Sequence, residues 1–320
     1  MEPGLEIGIT PWRYDAAAPA SLLVEQARRA ESLGLHSFWL PESHFAGPGS
    51  NPTPLLLLSA IAACTTRLRV ATTSYLLPVR HPIQVAEEVA VLDCLSGGRL
   101  ILGVGRGFRP ALFAAYDLDV AEKRDRFESA LAIMREAWDG KPVASDASSG
   151  GVILSPLPIQ QPHPPIWAAA FGPKALALSG RLGLPYLCSP IEPFERLRAN
   201  YAAHREAVVA AHGEIELPVP VMRTVFAHEV GTVRDRVREG LTRQARAMAS
   251  TASAQVRRLA ATELEDWALV GEPAEVRDGI ARYREELGVT HLVARTQIPG
   301  ADEADTLAAL EHLAALSSGA

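Results

Sequence analysis

Glu42-Ser43-His44-Phe45 sets a carboxylate, a hydroxyl and an imidazole side by side, directly after the apolar run Ser37-Phe38-Trp39-Leu40. An imidazole changes charge near neutrality, so His44 can hold or move a proton where Ser43 has no accessible ionisation. Side chains alternate along an extended chain, so Ser43 and His44 face different ways unless the chain turns between them. A structural role for the histidine is the competing reading. Gly103-Val104-Gly105-Arg106-Gly107 is the second cluster. It fails as a dinucleotide fingerprint, because its third glycine comes one residue early and no acidic residue follows a strand at the ribose-binding distance. It reads better as a strand end where glycines let a planar ring approach the backbone, with Arg106 beside an anion. The alternative is a tight turn with Arg106 in a surface ion pair. Gly172-Pro173-Lys174 follows a buried strand and can seat a phosphate on free helix-start amides, or can be a Pro-initiated helix with no ligand. No Gly-x-Ser-x-Gly or His-Glu-x-x-His occurs, which argues against a serine hydrolase or a zinc protease.

Strand-like and helix-like segments alternate almost from end to end. Strands are expected over residues 5–10, 37–40, 68–73, 99–104, 166–170, 186–188, 219–227 and 289–295. Between them, Ser21 opens a helix with Leu23, Ala27 and Ala30 on one face and Gly34 as its stop, and Pro54 opens a strongly apolar helix to Cys64. Val85, Val89 and Leu92 mark a third helix, with Glu87, Glu88 and Asp93 expected on its wet side. A further helix carries Phe127, Leu131 and Met134 and ends near Gly140, and another carries the stripe Val276, Ile280, Tyr283 and Leu287. Residues 140–165 read as a surface excursion and 232–268 as a charged, less regular helical insertion. Eight strands each followed by a helix predict a (β/α)8 TIM barrel in one domain, residues 1–320; an open doubly wound sheet is the alternative. In such a barrel the site lies at the C-terminal strand ends. That selects Trp12, Glu42 to Phe45, Thr72 to Leu77, Gly105 to Arg109, Phe171-Gly172 and Ser189.

The net charge of -6 supplies no basic footprint for nucleic acid. Cys64, Cys94 and Cys188 are odd in number and form no metal-spaced pair, as expected of a reducing cytosol. Met1-Glu2-Pro3-Gly4 lacks a signal-peptide pattern, and Leu55 to Cys64 is too short to cross a bilayer, so a cytoplasmic protein without membrane contact is expected. The helix from Pro54 to Cys64 is apolar over most of its circumference, so its outer face is expected to meet a second copy.

The order and spacing of Glu42-Ser43-His44-Phe45, Arg80-His81-Pro82, Glu87-Glu88, Leu92-Asp93 and Ser96-Gly97-Gly98-Arg99 running on to Phe108 resemble the bacterial luciferase-like flavin monooxygenase family. The resemblance extends from Glu42 to Arg124 almost without gaps and implies a luciferase-like barrel. It implies a dissociable reduced FMN delivered by a separate NAD(P)H:flavin reductase, with O2 used to oxygenate a small apolar organic substrate. Carried onto this sequence, it puts the flavin near Glu42, Thr73, Ser74, Arg106, Arg124, Phe171 and Gly172, with a non-prolyl cis peptide at Thr73-Ser74. His44 and Ser43 become the catalytic pair; the aromatic residues Trp12, Tyr75 and Phe108 themselves suggest an apolar substrate pocket, and His81, although it fits the family, reads as a turn or cap residue. The resemblance also implies a homodimer. Departures matter: the family's Glu-His-His-Phe is Glu-Ser-His-Phe here, its reactive cysteine becomes Gly105 and a nearby tyrosine becomes Arg109, so light emission is not expected. The acidic, serine and threonine positions of the family's phosphate contact are Phe171, Gly172 and Ala175, which shifts that duty toward backbone amides. The same barrel also hosts F420-dependent hydride transfer, against which Arg106 and the Glu-Ser-His-Phe form speak, and noncatalytic flavin binding.

Overall fold

A computed structural model describes residues 4–145, 151–251 and 262–317. Part of the expected surface excursion (146–150) and of the helical insertion (252–261) lies outside the described residues. The chain builds two compact units: Tyr14–Arg28 with Trp39–Ala169, and Met1–Arg13 with Arg29–Phe38 and Ala170–Ala320.

In the unit that contains Glu42, strands Arg69–Thr72 and Leu100–Gly105 run parallel, with Val70 opposite Leu100, and Leu100–Gly105 continues onto Ile166–Ala169 with Gly103 opposite Trp167. Val70, Leu100, Leu102 and Val104 are fully buried, as continuous apolar strands covered on both faces must be. The expected third strand is interrupted at a cis peptide between Thr73 and Ser74 and resumes as Tyr75–Leu76, which pairs with Val104 and Gly105. This interruption gives the glycines opposite it their role. A Cβ on Gly103 would lie 1.9 Å from the Thr72 carbonyl oxygen, and one on Gly105 would lie 2.2 Å from Ser74 Oγ. Their smallness is therefore required by the neighbouring strand itself.

Helices Pro54–Cys64 and Pro82–Ser96 each begin with proline, whose missing N–H costs nothing in a first turn. His81 sits at the second helix's N-cap without a side-chain cap bond, and Gly97 closes it in the left-handed conformation. Asp93 corrects the expected wet face: it is fully buried, and its carboxylate accepts from the Gln160 backbone N–H at 2.9 Å and Nε2 at 2.7 Å. A partner 67 residues away satisfies the charge, so no surface position is needed. Arg99 donates to the carbonyls of Ala62, Thr65, Leu68 and Ser96, closing the end of Pro54–Cys64. The Ser96-Gly97-Gly98-Arg99 run is thus scaffolding.

In the other unit, strand Glu6–Ile9 lies between Ser37-Phe38 and His291–Arg295, and His291–Arg295 pairs in turn with Pro220–Ala227, all parallel. Residues 231–251 are helical, but the expected insertion ends in a strand, Ala268–Gly271, which pairs with Thr224 to Ala227. Ala-Leu-Val-Gly is too short to display its own periodicity between charged segments. Helix Pro273–Leu287 buries Val276, Ile280 and Tyr283 as expected. A polar network lies under this layer. The fully buried Arg223 donates to Tyr283 Oη at 2.7 Å and to the Glu192 carbonyl at 2.7 Å. The Glu192 carboxylate accepts from Tyr186, Asn200 and the Ser189 amide. Among the described residues no helix is long and apolar enough to cross a membrane.

Candidate active site

Strand Ser37–Leu40 delivers Glu42 and His44 to its C-terminal end, where a positive φ of 55° at Phe45 turns the chain. His44 Nε2 lies 2.6 Å from Glu42 Oε1, and both side chains are almost wholly buried. Glu42 Oε1 also accepts from Arg80 Nη1 at 2.8 Å, and Oε2 accepts from the Leu76 amide at 3.0 Å. Burial disfavours the Arg80 charge, but Glu42 and Tyr75 outweigh it and raise the guanidinium above its ordinary value. On its other side His44 Nδ1 lies 3.3 Å from the Tyr116 hydroxyl, with the two rings edge-on. A neutral imidazole that donates from Nε2 to Glu42 is left with Nδ1 as acceptor for Tyr116. The result is a chain from half-exposed Tyr116 through His44 to buried Glu42, along which a proton can be handed inward or outward. Tyr116 and Arg80 were not assigned a role from sequence. Arg80 was visible in its motif; Tyr116, 72 positions from His44, left no local signal.

Ser43 faces elsewhere. Its hydroxyl donates to the Gly49 carbonyl at 2.8 Å and accepts from the Asn51 amide at 3.0 Å, which pins the loop. Tyr75 is buried, with its hydroxyl on Glu88 at 2.9 Å and Arg80 stacked 3.9 Å from its ring centre. Its polar end and one face of its ring are thus already partnered by Glu88 and Arg80. Phe108 is exposed beside Arg109.

Arg106, Lys123 and Arg124 form a cationic cluster. Burial lowers the Arg106 guanidinium and Arg124 lowers it further, with Glu128 acting weakly against them. Lys123 is lowered by burial and then by Arg106 and Arg124. None of the three makes an ion pair among the described residues. Lys123 is a member that sequence reasoning missed. Thr73 and Ser74 lie half-buried in the same unit, beside Gly105 in the case of Ser74.

Trp12, Phe171 and Gly172 belong to the other unit. Trp12 is buried and Phe171 half-buried. Gly172, at φ 90°, precedes helix Pro173–Arg181, but its carbonyl already accepts the amides of Ala175 and Leu176. Fewer amides are free at this helix start than a Pro-initiated turn alone would suggest.

The profile of the luciferase-like monooxygenase family matches residues 5–291. The chain belongs to that family. Among solved structures of luciferase-like proteins, the monooxygenase RslO1 of Streptomyces bottropensis superposes with a TM-score of 0.81 at 27% identity, covering 97% of this chain and 98% of the other. The fold is therefore the luciferase-like (β/α)8 barrel. The oxygenase component of a flavin-dependent trigonelline monooxygenase from Acinetobacter baylyi is 26% identical over 61% of this chain and 56% of its own length. An F420-dependent glucose-6-phosphate dehydrogenase from Amycolatopsis mediterranei is 29% identical over 88% of this chain and 89% of its own. The chain spans about half the length of the first curated relatives it matches. The relatives thus include both a flavin-dependent oxygenase component and an F420-dependent dehydrogenase.

Proposed function

We propose that this luciferase-like protein is the oxygenase of a two-component system. It takes reduced FMN from a separate NAD(P)H-dependent reductase and uses O2 to oxygenate a small organic substrate, working as a homodimer. The carrying observation is the Arg106–Lys123–Arg124 cluster: Arg106 and Lys123 are lowered by burial and by the neighbouring arginine charge, and the three cations lack an ion-pair partner among the described residues, which calls for a dianion such as a flavin phosphate. Bound reduced flavin would supply the electrons and activate O2. The chain's own part is to hold the phosphate, to exclude water, and to manage a proton along Tyr116, His44 and Glu42.

F420-dependent hydride transfer is the second reading, favoured by the relative aligned over 88% of the chain. The Glu42-Ser43-His44-Phe45 form and Arg106 support FMN over it. The deciding experiment measures O2 consumption by the purified protein with FMN, a reductase and NADH, beside binding titrations with reduced FMN and F420. Tight F420 binding without reductase-dependent oxygen use would overturn the proposal. Arg106→Ala should weaken reduced FMN binding more than riboflavin binding, since charge-assisted bonds to phosphate contribute about 1.5 to 3 kcal/mol each. Equal weakening of both would mean that Arg106 serves the ring or the fold.

A further inference from the structure

We propose that Arg295 binds an oxyanion carried by the substrate, so that the substrate is an acid, a carboxylate or similar group on an organic body. This rests on the oxygenase reading for the word substrate, though not for the anion site itself.

Arg295 ends strand His291–Arg295, at the end of the sheet where a barrel of this kind keeps its chemistry. Its guanidinium is half-buried, and among the described residues its one hydrogen bond is from Nη2 to Gln244 Oε1 at 3.0 Å. A guanidinium has five N–H donors. No carboxylate pairs with this one among the described residues, and the sequence from 252 to 261 contains no acidic residue. Burial pushes the group down from its ordinary value, and no charged neighbour among the described residues shifts it in either direction. Buried charges are normally paired, because desolvating an ion without a partner is costly. Arg223, on the adjacent strand, shows the usual solution: it is buried too, but Tyr283 and four carbonyls nearby take its donors.

The direction of the side chain follows from register. Arg295 pairs with Thr224, and Arg223 precedes Thr224 on the same strand. Arg223 points to the face covered by Tyr283 of helix Pro273–Leu287, so Thr224 and Arg295 project from the opposite face. Thr224 Oγ1 on that face is buried without a hydrogen-bond partner among the described residues. A cation short of an acceptor and a hydroxyl short of a partner thus occupy in-register positions on neighbouring strands. The backbone beneath them is fixed, because Thr296 is bonded to Thr10 through both its amide and its hydroxyl. A rigid strand end presenting an unpaired fork of donors suits a carboxylate, whose two oxygens match it.

The test uses the full chain, with octanoate and benzoate as probes against octanamide and benzamide at matched ionic strength, read by calorimetric titration and thermal melting. The acids should bind and raise the melting temperature, and the amides should not. Arg295→Met and Gln244→Glu should each weaken acid binding by about tenfold or more, the first by removing the charge and the second by supplying an internal partner. Arg295→Met should leave the ligand-free protein at least as stable, since it deletes an unpaired buried charge. Acids and amides that act alike, variants that keep acid affinity, or a lowered melting temperature in ligand-free Arg295→Met would each overturn the proposal. Weaker binding of FMN but not riboflavin by Arg295→Met would overturn it too, by making the cofactor phosphate the anion. If neither FMN nor F420 binds the unmodified protein, the oxygenase reading fails, while the comparison of acid with amide still decides the anion site.

Discussion

His44 has both ring nitrogens engaged, so replacing it breaks a chain of three groups and not a single contact. In an oxygenase of the proposed kind, a polar group near the reacting oxygen prevents reducing equivalents from escaping as H2O2. His44→Ala should therefore raise H2O2 release and lower product yield while leaving flavin affinity nearly intact. Tyr116→Phe keeps the edge-on ring contact but removes the outward hydroxyl, so it should reproduce part of that uncoupling. Ser43→Ala should leave coupling alone and cost about 1 kcal/mol of stability, because its hydroxyl is used up by Gly49 and Asn51. Stopped-flow decay of the flavin species and H2O2 yield check the ranking. A larger uncoupling in Ser43→Ala than in His44→Ala would move the proton-handling role to Ser43. The alternation of side chains made this division legible in sequence, whereas the Tyr116 contact exists only after the chain has folded back over 72 positions.

The elements that carry these residues depend on close strand approach. Gly103→Ala would drive a Cβ to 1.9 Å from a backbone oxygen, which cannot swing aside as a side chain can. Overpacking of this kind costs about 1 to 3 kcal/mol or more, and the denaturation midpoint should fall accordingly. Gly49→Ala, with nothing within 4 Å, is the control and should be near neutral. The eight barrel strands were legible because each is a short apolar run, whereas Ala268–Gly271 was not, being four residues between charged stretches. Asp93 was misplaced because a charged residue at the edge of an apolar stripe reads as solvent-facing, and Gln160 lies in a segment without periodicity. The Glu192 network offers a pH test at the same scale. Burial raises the Glu192 carboxyl above its ordinary value of 4.5, and the bonds from Ser189, Tyr186 and Asn200 recover that only in part. A raised folded-state pKa adds stability below the unfolded value, and that contribution is lost as pH rises through the folded value. Glu192→Gln cannot titrate, so the stability of the unmodified protein relative to this variant should decline from pH 4.5 upward. A difference that stays flat or grows with pH would mean that Glu192 is ionised at no cost.

At the scale of the molecule, the least settled surface is the apolar one around helix Pro54–Cys64. Pro54, Leu55, Leu58, Ile61 and Ala62 are buried, one stripe of a helix that is apolar nearly all round. Leu56 points the other way and is 70% exposed, and the neighbouring helix Pro82–Ser96 adds Leu95 at 61% and Val91 at 42%. Burying a leucine fully is worth about 1.5 to 3 kcal/mol, so one side chain cannot hold a dimer, and exposed apolar residues on both helices would have to contribute to the roughly 1,000 Å2 that a specific interface needs. The unmodified protein should be a dimer by light scattering at micromolar concentration, and Leu56→Glu, which would bury an unpaired carboxylate, should make it a monomer. A monomeric unmodified protein sinks this reading. Salt separates it from an interface held by ion pairs. Each copy carries a net charge of -6, so two copies repel at long range, and an apolar contact should tighten as added salt screens that repulsion. Ion pairs across the interface would instead weaken, and dissociation on raising salt would assign the dimer to a different, charged face.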